Sequence, residues 1–350
     1  MILSRRTLLH SSALGAAALP FITTGSSAAV SDRILDRPLA KGLYEVAYSA
    51  GANAVFVACA QEFGDGKGGI VYRLDPVTLE TTGTIEVPEK VFALAVNDRT
   101  GKLYAGNTLE GAITRIDIPT GKVEARLQLS NNKEIRTRQI RVDEAGDRIL
   151  VTGVEHPSIV WVVDGTSFTQ IGAVPDTGGS ATGLALDLGR DRIYVGNNDA
   201  QIVVADPKAG KILERFTTGD DQKRFFVNVV LDEAARRLYA IEANERFVFV
   251  FDADEGTVLD KIEIGRNPLA GVVNPTGKRL YVTNRGEGSV SVIDTTTNQV
   301  VRKIELGAFP NSLVLDAEAK VLFVTVKQPL HQDDPGYDPS ALDRIVRIPV

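Results

Sequence analysis

The sequence predicts an all-β fold, a seven-bladed β-propeller made of four-stranded blades. Short apolar runs of period two, broken by Gly, Pro and Asn, indicate strands joined by tight turns. None of these runs shows the i, i+3, i+4, i+7 spacing that is typical of an amphipathic helix. One sequence unit returns about every 42 to 48 residues, which is the length of a four-stranded propeller blade.

The clearest unit spans residues 269–307 and contains an Asn-Pro-Thr-Gly turn. Its alternating segments predict four strands, at 270–273, 280–283, 289–293 and 300–306. One such sheet cannot bury both of its faces, so it needs copies of itself as neighbours.

Copies of this unit follow one another along the chain. Their second strands are marked by Phe56, Tyr104, Leu150, Tyr194, Tyr239, Tyr281 and Phe323. Their third strands end in an acid, namely Asp75, Asp117, Asp164, Asp206, Asp252 and Asp294. A carboxylate at this place accepts the free amides of the next turn, so we interpret these aspartates as structural. The residues four positions later suit a left-handed turn position: Gly121, Gly210, Gly256 and Asn298.

The repeats predict a ring that the N-terminal segment closes. The seven units are 44–90, 91–137, 138–180, 181–225, 226–268, 269–309 and 310–350. The seventh provides only three strands, with residues 344–348 as its third. Residues 33–39 resemble the fourth strands of other units. We therefore predict that they complete the last blade and remove its open edge.

The first 29 residues predict an export signal, followed by a single propeller domain over 30–350. Arg5 and Arg6 precede a mildly apolar run, and small residues lead to Ala29, which suits cleavage after that residue. This pattern is typical of twin-arginine export; a Sec signal or an uncleaved membrane anchor are the alternatives. The remainder contains no apolar run long enough to span a bilayer, so we expect a bacterial periplasmic protein.

The charge and the single cysteine limit the possible functions. The net charge of −6 opposes nonspecific nucleic-acid binding, so any site for an anion must be a local patch. Cys59 is the only cysteine, which excludes an internal disulfide, and we expect it to be a buried strand thiol.

Tyr281, Val282, Thr283 and Asn284 form the signature of the YVTN-repeat β-propellers, and the repeat covers the mature chain. Longer strings resemble the YncE-type periplasmic propellers, among them VYRLDPVTLE (71–80) and SIVWVVDG (158–165). The resemblance implies a non-enzymatic periplasmic protein able to bind single-stranded DNA. The fold itself specifies no function, since propellers serve many functions.

A propeller places its loops alternately on two faces, and the two faces of this chain differ. Turns between first and second and between third and fourth strands are short and regular. The opposite face, here called the loop face, carries the second-to-third loops and the links between blades. It has the long loops 61–69 and 327–342 and the extended links 130–137 and 219–225. Function is therefore expected on the loop face.

The loop face carries the candidate binding residues. The sequence predicts that these are Lys133, Arg136, Arg138, Lys223, Arg224, Phe225, Asn228, Asn311 and Lys327. Cations beside aromatic rings suit single-stranded nucleic acid, because phosphates pair with the cations while bases stack on the rings. The alternative is that the cations pair with Glu134, Asp220 and Asp221. Phe226, next to Phe225, is expected to be a core residue.

Other signals do not predict chemistry. The glycines of 64–69 match G-x-G-x-x-G, but a strand rather than a helix follows them. His156 and His331 lie on separate loops without metal-ligand spacing. We predict no catalytic residue, metal or cofactor.

Two further functions stay open. A lactonase-like or metal-dependent hydrolase would use Glu45, Asn228, Asn267 and Asn311 at the channel mouth, although no acid–base pair anchors that chemistry. The second open function is that of a platform that binds a protein partner in the cell envelope.

Overall fold

Seven antiparallel sheets of four strands each make up the structure, a computed structural model that describes residues 33–62, 66–132, 134–318, 320–329 and 336–350. Within these ranges there are 28 strands and one short 3-10 helix, Thr108–Glu110. The predicted all-β, seven-bladed propeller is confirmed. The proposed leader, residues 1–29, lies outside the described residues.

The strands of blades one to four follow the order of the chain. Blade one has β2 (Leu43–Ser49), β3 (Ala54–Cys59), β4 (Gly69–Leu74) and β5 (Thr81–Val87). Blade two has β6 (Ala93–Asn97), β7 (Lys102–Asn107), β8 (Ala112–Asp117) and β9 (Val123–Gln128). Blade three has β10 (Arg136–Asp143), β11 (Arg148–Val154), β12 (Ile159–Asp164) and β13 (Thr169–Pro175). Blade four has β14 (Gly183–Asp187), β15 (Arg192–Gly196), β16 (Gln201–Asp206) and β17 (Lys211–Thr217).

Blades five to seven complete the ring. Blade five has β18 (Phe226–Asp232), β19 (Arg237–Glu242), β20 (Phe247–Asp252) and β21 (Val258–Glu263). Blade six has β22 (Pro268–Asn274), β23 (Arg279–Asn284), β24 (Ser289–Asp294) and β25 (Gln299–Glu305). Blade seven has β26 (Phe309–Asp316), β27 (Val321–Lys327), β28 (Asp343–Pro349) and, from the N-terminal side, β1 (Leu35–Ala40).

Apolar clusters fill the interfaces between adjacent blades. Second and third strands are buried almost throughout, as in β3 and β24, because both of their faces meet a neighbour. The clusters join blade pairs one–two, two–three, three–four, four–five, five–six, six–seven and seven–one. Trp161 packs between blades two and three. Cys59 is buried between blades one and seven, also as expected.

The ring closes through β1, as the sequence predicts. β1 pairs antiparallel with β28, and Leu35 lies opposite Arg347 in the register. An ion pair between Asp36 and Arg344 adds to the backbone ladder. The pairing removes an unpaired edge from β28, which protects against edge-to-edge association.

The recurring aspartates hold the turns on the face opposite the loop face. Asp75 Oδ1 accepts the backbone N–H groups of Val77 (2.9 Å) and Thr78 (2.8 Å). Asp117, Asp164, Asp206, Asp252 and Asp294 accept equivalent bonds. The left-handed position four residues later is glycine or asparagine in four blades. Leu79 and Phe168 adopt the same conformation in blades one and three, where burial of their side chains offsets the backbone strain.

Candidate functional site: the channel mouth

The first strands of the seven blades line a central channel that opens on the loop face. At this opening lies a cavity of about 40 Å³, above a channel of about 400 Å³. Every blade contributes to the lining of the cavity, which includes Glu45, Phe92, Arg138, Thr182, Asn228, Ala270 and Asn311. The predicted site residues Arg138, Asn228 and Asn311 therefore meet here, although they come from blades three, five and seven.

Arg138 lines the channel mouth, and Arg285 lies close enough to interact with its charge. Both are half-buried, and neither guanidinium has a hydrogen-bond or ion-pair partner among the described residues. Burial lowers the pKa of Arg285, and the positive charge of Arg138 lowers it further. The two arginines thus lie close enough to repel each other, an arrangement that an anionic ligand relieves.

Aromatic rings accompany these cations. The Arg285 guanidinium lies 5.9 Å from the centre of the Phe309 ring, and Phe309 is partly exposed. Tyr44 packs edge-on against Phe92, with ring centres 4.6 Å apart. Burial raises the pKa of the Tyr44 phenol, which also feels the charges of Arg285 and Arg138.

Lys327, a predicted binding residue, is a buried part of the ring closure. Its side chain is almost inaccessible, and Nζ donates to the Leu43 carbonyl at 2.7 Å. Nζ also lies 3.5 Å from Asp343 and 3.9 Å from the centre of the Tyr44 ring. Burial lowers the pKa of Lys327 in spite of Asp343. The positive charge of Lys327 is therefore compensated by Asp343 inside the protein.

The predicted residues at the start of blade five are divided between surface and interior. Arg224 is 2% exposed; it pairs with Asp220, donates to Thr218 at 2.6 Å, and lies 4.9 Å from the Phe249 ring centre. Phe225 is partly buried and packs between blades five and six. Lys223 is exposed and has no partner among the described residues.

The remaining predicted cations lie beside blade three. Arg136 is exposed at the start of β10, with a side chain that has no partner in the described part of the chain. Lys133 lies outside the described residues. Phe226, expected in the core, is fully buried.

Glu45 is the acid of the cavity. Its Oε2 accepts the Leu94 N–H at 3.3 Å, and its Oε1 lies 4.0 Å from Arg141 Nη1. Burial raises the pKa of Glu45, opposed by the charges of Arg141 and Arg138. Burial also lowers the pKa of Arg141.

Two amides complete the cavity wall. Asn228 and Asn311 are each 8% exposed, and the Asn228 Oδ1 atom is buried without a hydrogen-bond partner in the described part of the chain. Asn267, grouped with them on sequence, instead lies exposed in a left-handed turn.

Arg285 is the site residue that sequence reasoning missed, although a signal exists. It lies four residues after Tyr281, as Lys327 lies four residues after Phe323. The repeat therefore places a cation at the end of the second strand in blades six and seven. Only the structure shows that Arg285 is half-exposed whereas Lys327 is buried.

Within the described residues no group of three or more His, Cys, Asp or Glu side chains is arranged to hold a metal ion. His156 is exposed in the β11–β12 loop, and His331 lies outside the described residues. No helix in the described ranges is long and apolar enough to cross a membrane.

These features define a seven-bladed β-propeller with a polar, arginine-bearing channel mouth. The chain belongs to the YncE family. It is 37% identical over 261 residues to the uncharacterized protein YncE of Escherichia coli K12, covering 73% of this chain and 74% of that protein. The corresponding protein of Salmonella typhi is 38% identical over 262 residues, with the same coverage. No protein-family model matches the chain, so the YVTN assignment stays a prediction.

A solved structure shares the fold. Hydrazine synthase from Kuenenia stuttgartiensis superimposes with a TM-score of 0.70 at 14% identity, covering 81% of this chain and 92% of that chain. At this identity the likeness concerns the fold alone.

Proposed function

We propose that the protein is a periplasmic, non-enzymatic module that binds single-stranded DNA, or another extended anionic polymer, on its loop face. The observation that supports this most is the pair Arg138 and Arg285. Arg138 lines the channel mouth, Arg285 lies close enough to interact with its charge, and neither guanidinium has an ion-pair partner among the described residues. Phosphates pair with such groups, and Phe309 offers a ring on which a base stacks, worth about 1–3 kcal/mol.

The path of the polymer runs from the mouth toward exposed cations on neighbouring blades. Arg136 extends the positive surface along blade three, and Lys223 extends it at blade five. Arg224 and Lys327 are left out of this path, because their charges are already paired inside the protein. A local patch of this kind operates despite the net charge of −6.

Charge reversal tests the proposal. Arg136→Glu combined with Arg138→Glu is expected to weaken binding of a fluorescent single-stranded oligonucleotide and to flatten the salt dependence of its affinity. For a single strand, the slope decreases by about 0.7 for each phosphate that the protein no longer neutralises. Arg285→Glu is expected to act in the same direction.

The matched control reverses two exposed lysines in the turns of the opposite face, Lys122→Glu with Lys208→Glu. It changes the net charge equally and is expected to leave the salt slope unchanged. Duplex DNA and heparin serve as competitors at each salt concentration. Equal binding by the Arg136/Arg138 variant and the unmodified protein would disprove the assignment of the patch.

The periplasmic location is proposed from the leader and its paired arginines, Arg5 and Arg6. We also assign the repeat to the YVTN type, from residues 281–284. Replacing both arginines by lysine is expected to retain the protein in the cytoplasm. Cell fractionation and N-terminal sequencing of the periplasmic form check this, with Val30 expected as the first residue.

A further inference from the structure

Opposite charges face each other across the channel-mouth cavity. Arg138 of blade three and Glu45 of blade one both line it. Burial raises the pKa of Glu45, and the charges of Arg141 and Arg138 oppose that rise. The amides of Asn228 and Asn311 lie in the same wall. The cavity thus offers a cation, an anion and two amides.

These groups have unused hydrogen-bonding capacity. Asn228 Oδ1 is buried without a donor, and the Arg138 guanidinium lacks an acceptor among the described residues. Glu45 Oε1 is 4.0 Å from Arg141, beyond hydrogen-bond distance. A buried polar atom without a partner destabilises the protein, so a ligand that donates to Asn228 Oδ1 gains affinity from that hydrogen bond.

The charges select the chemical class of this ligand. A bare cation is disfavoured because Arg138 and Arg141 lie beside Glu45, the one carboxylate among the described residues that line the cavity. A bare anion is disfavoured by Glu45. A molecule that carries both charges a short distance apart satisfies both sides.

We propose that the channel-mouth cavity binds a free α-amino acid through its main-chain groups. The carboxylate pairs with Arg138, while the ammonium group donates to Glu45 Oε1 and Asn228 Oδ1. The volume of about 40 Å³ suits these small groups, and the amino-acid side chain points out through the mouth. This binding goes beyond the proposed capture of a polymer and does not depend on it.

Calorimetry of the folded protein with three small solutes tests the proposal. Glycine carries both charges, acetate only the carboxylate, and methylamine only the ammonium group. Glycine is expected to bind at least about tenfold more tightly than either, since a hydrogen bond to a charged group contributes about 1.5–3 kcal/mol. Glycine binding no tighter than acetate, or no glycine binding, overturns the proposal. The polymer-binding measurements are unaffected by that result.

A pair of isosteric variants locates the site. Glu45→Gln is expected to weaken glycine binding about tenfold or more, because it removes the partner of the ammonium group. Glu144→Gln, the same change lower in the same channel, is expected to leave it unaltered. Asn228→Ala serves as a second variant if Glu45→Gln fails to fold. Unchanged glycine binding by a folded Glu45→Gln protein also overturns the proposal.

Discussion

Lys223 and Arg224 are adjacent in sequence, yet only one of them faces solvent. The guanidinium of Arg224 is enclosed by Asp220, Thr218 and Phe249, whereas the ammonium of Lys223 is exposed. Sequence alone does not separate the two, because the path of the 218–225 link decides which side chain turns inward. Lys327 and Arg285 differ in the same way at equivalent repeat positions.

Substitution of these two neighbours is expected to have opposite effects on stability and binding. Arg224→Ala removes a buried side chain that packs on the Phe249 ring, and it is expected to lower the free energy of unfolding by about 1–3 kcal/mol. Lys223→Ala is expected to change the free energy of unfolding by no more than about 0.5 kcal/mol, as is usual for an exposed residue. Urea unfolding measures both. Lys223→Ala is the one expected to weaken oligonucleotide binding, and the reverse pattern would contradict the assignment of Arg224 to the interior.

Asp343, at the junction of blades one and seven, provides a second test. Its carboxylate accepts the N–H groups of Gly42 (3.0 Å), Leu43 (2.9 Å) and Gln328 (2.7 Å), and it faces buried Lys327. Asp343→Ala leaves all four groups without this acceptor and is expected to cost about 3–5 kcal/mol in urea unfolding. Asp221→Ala, an exposed acid without a partner in the described residues, is the control and should change little.

Among the elements, the strands of blade six show how far local sequence patterns determine the structure. The four strands predicted for this blade match β22–β25 to within two residues at every end, because alternation and turn residues are local signals. The same patterns do not show which side chains meet in the channel. Glu45 and Arg138 lie on strands of different blades, and ring closure alone brings them to one cavity.

The tyrosines of the second strands predict a loss of stability in alkali. Burial raises the pKa of Tyr104 and of Tyr239 to about 12, and both side chains are fully buried. The native state therefore keeps protons that the unfolded chain loses near pH ~10. The stability that the two buried phenols contribute is fully present below pH ~10 and is lost as the pH rises toward ~12.

Phenolate absorbance checks this expectation. The native protein should titrate later than the urea-unfolded chain, and its free energy of unfolding should fall over the same interval. The double variant Tyr104→Phe with Tyr239→Phe should show a smaller fall. Native and unfolded titration curves that coincide would refute the expectation.

At the scale of the whole molecule, the repeat length predicted the number of blades, and the unfinished last unit predicted the role of the N-terminal segment. Both predictions rest on counting strands, which the sequence permits. The openness of the channel mouth did not follow from counting, because it depends on how side chains from seven blades fill a common volume.

Removal of the closing strand tests the architecture. A variant lacking residues 33–40 leaves β28 with an unpaired edge and lacks a ladder of hydrogen bonds worth about 1 kcal/mol each. We expect a lower melting temperature and self-association in size-exclusion chromatography. A variant that lacks only residues 1–29 should stay monodisperse and equally stable, and comparable behaviour of the two would argue against closure by β1.

The lining of the mouth by all seven blades also couples recognition to completion of folding. A nascent, truncated or nicked chain that lacks any one sector has no concavity in which the converging groups assemble. Any solute captured there would preferentially stabilise finished molecules, by mass action. Binding of the solute in this cavity would then indicate that the last blade has packed into the ring.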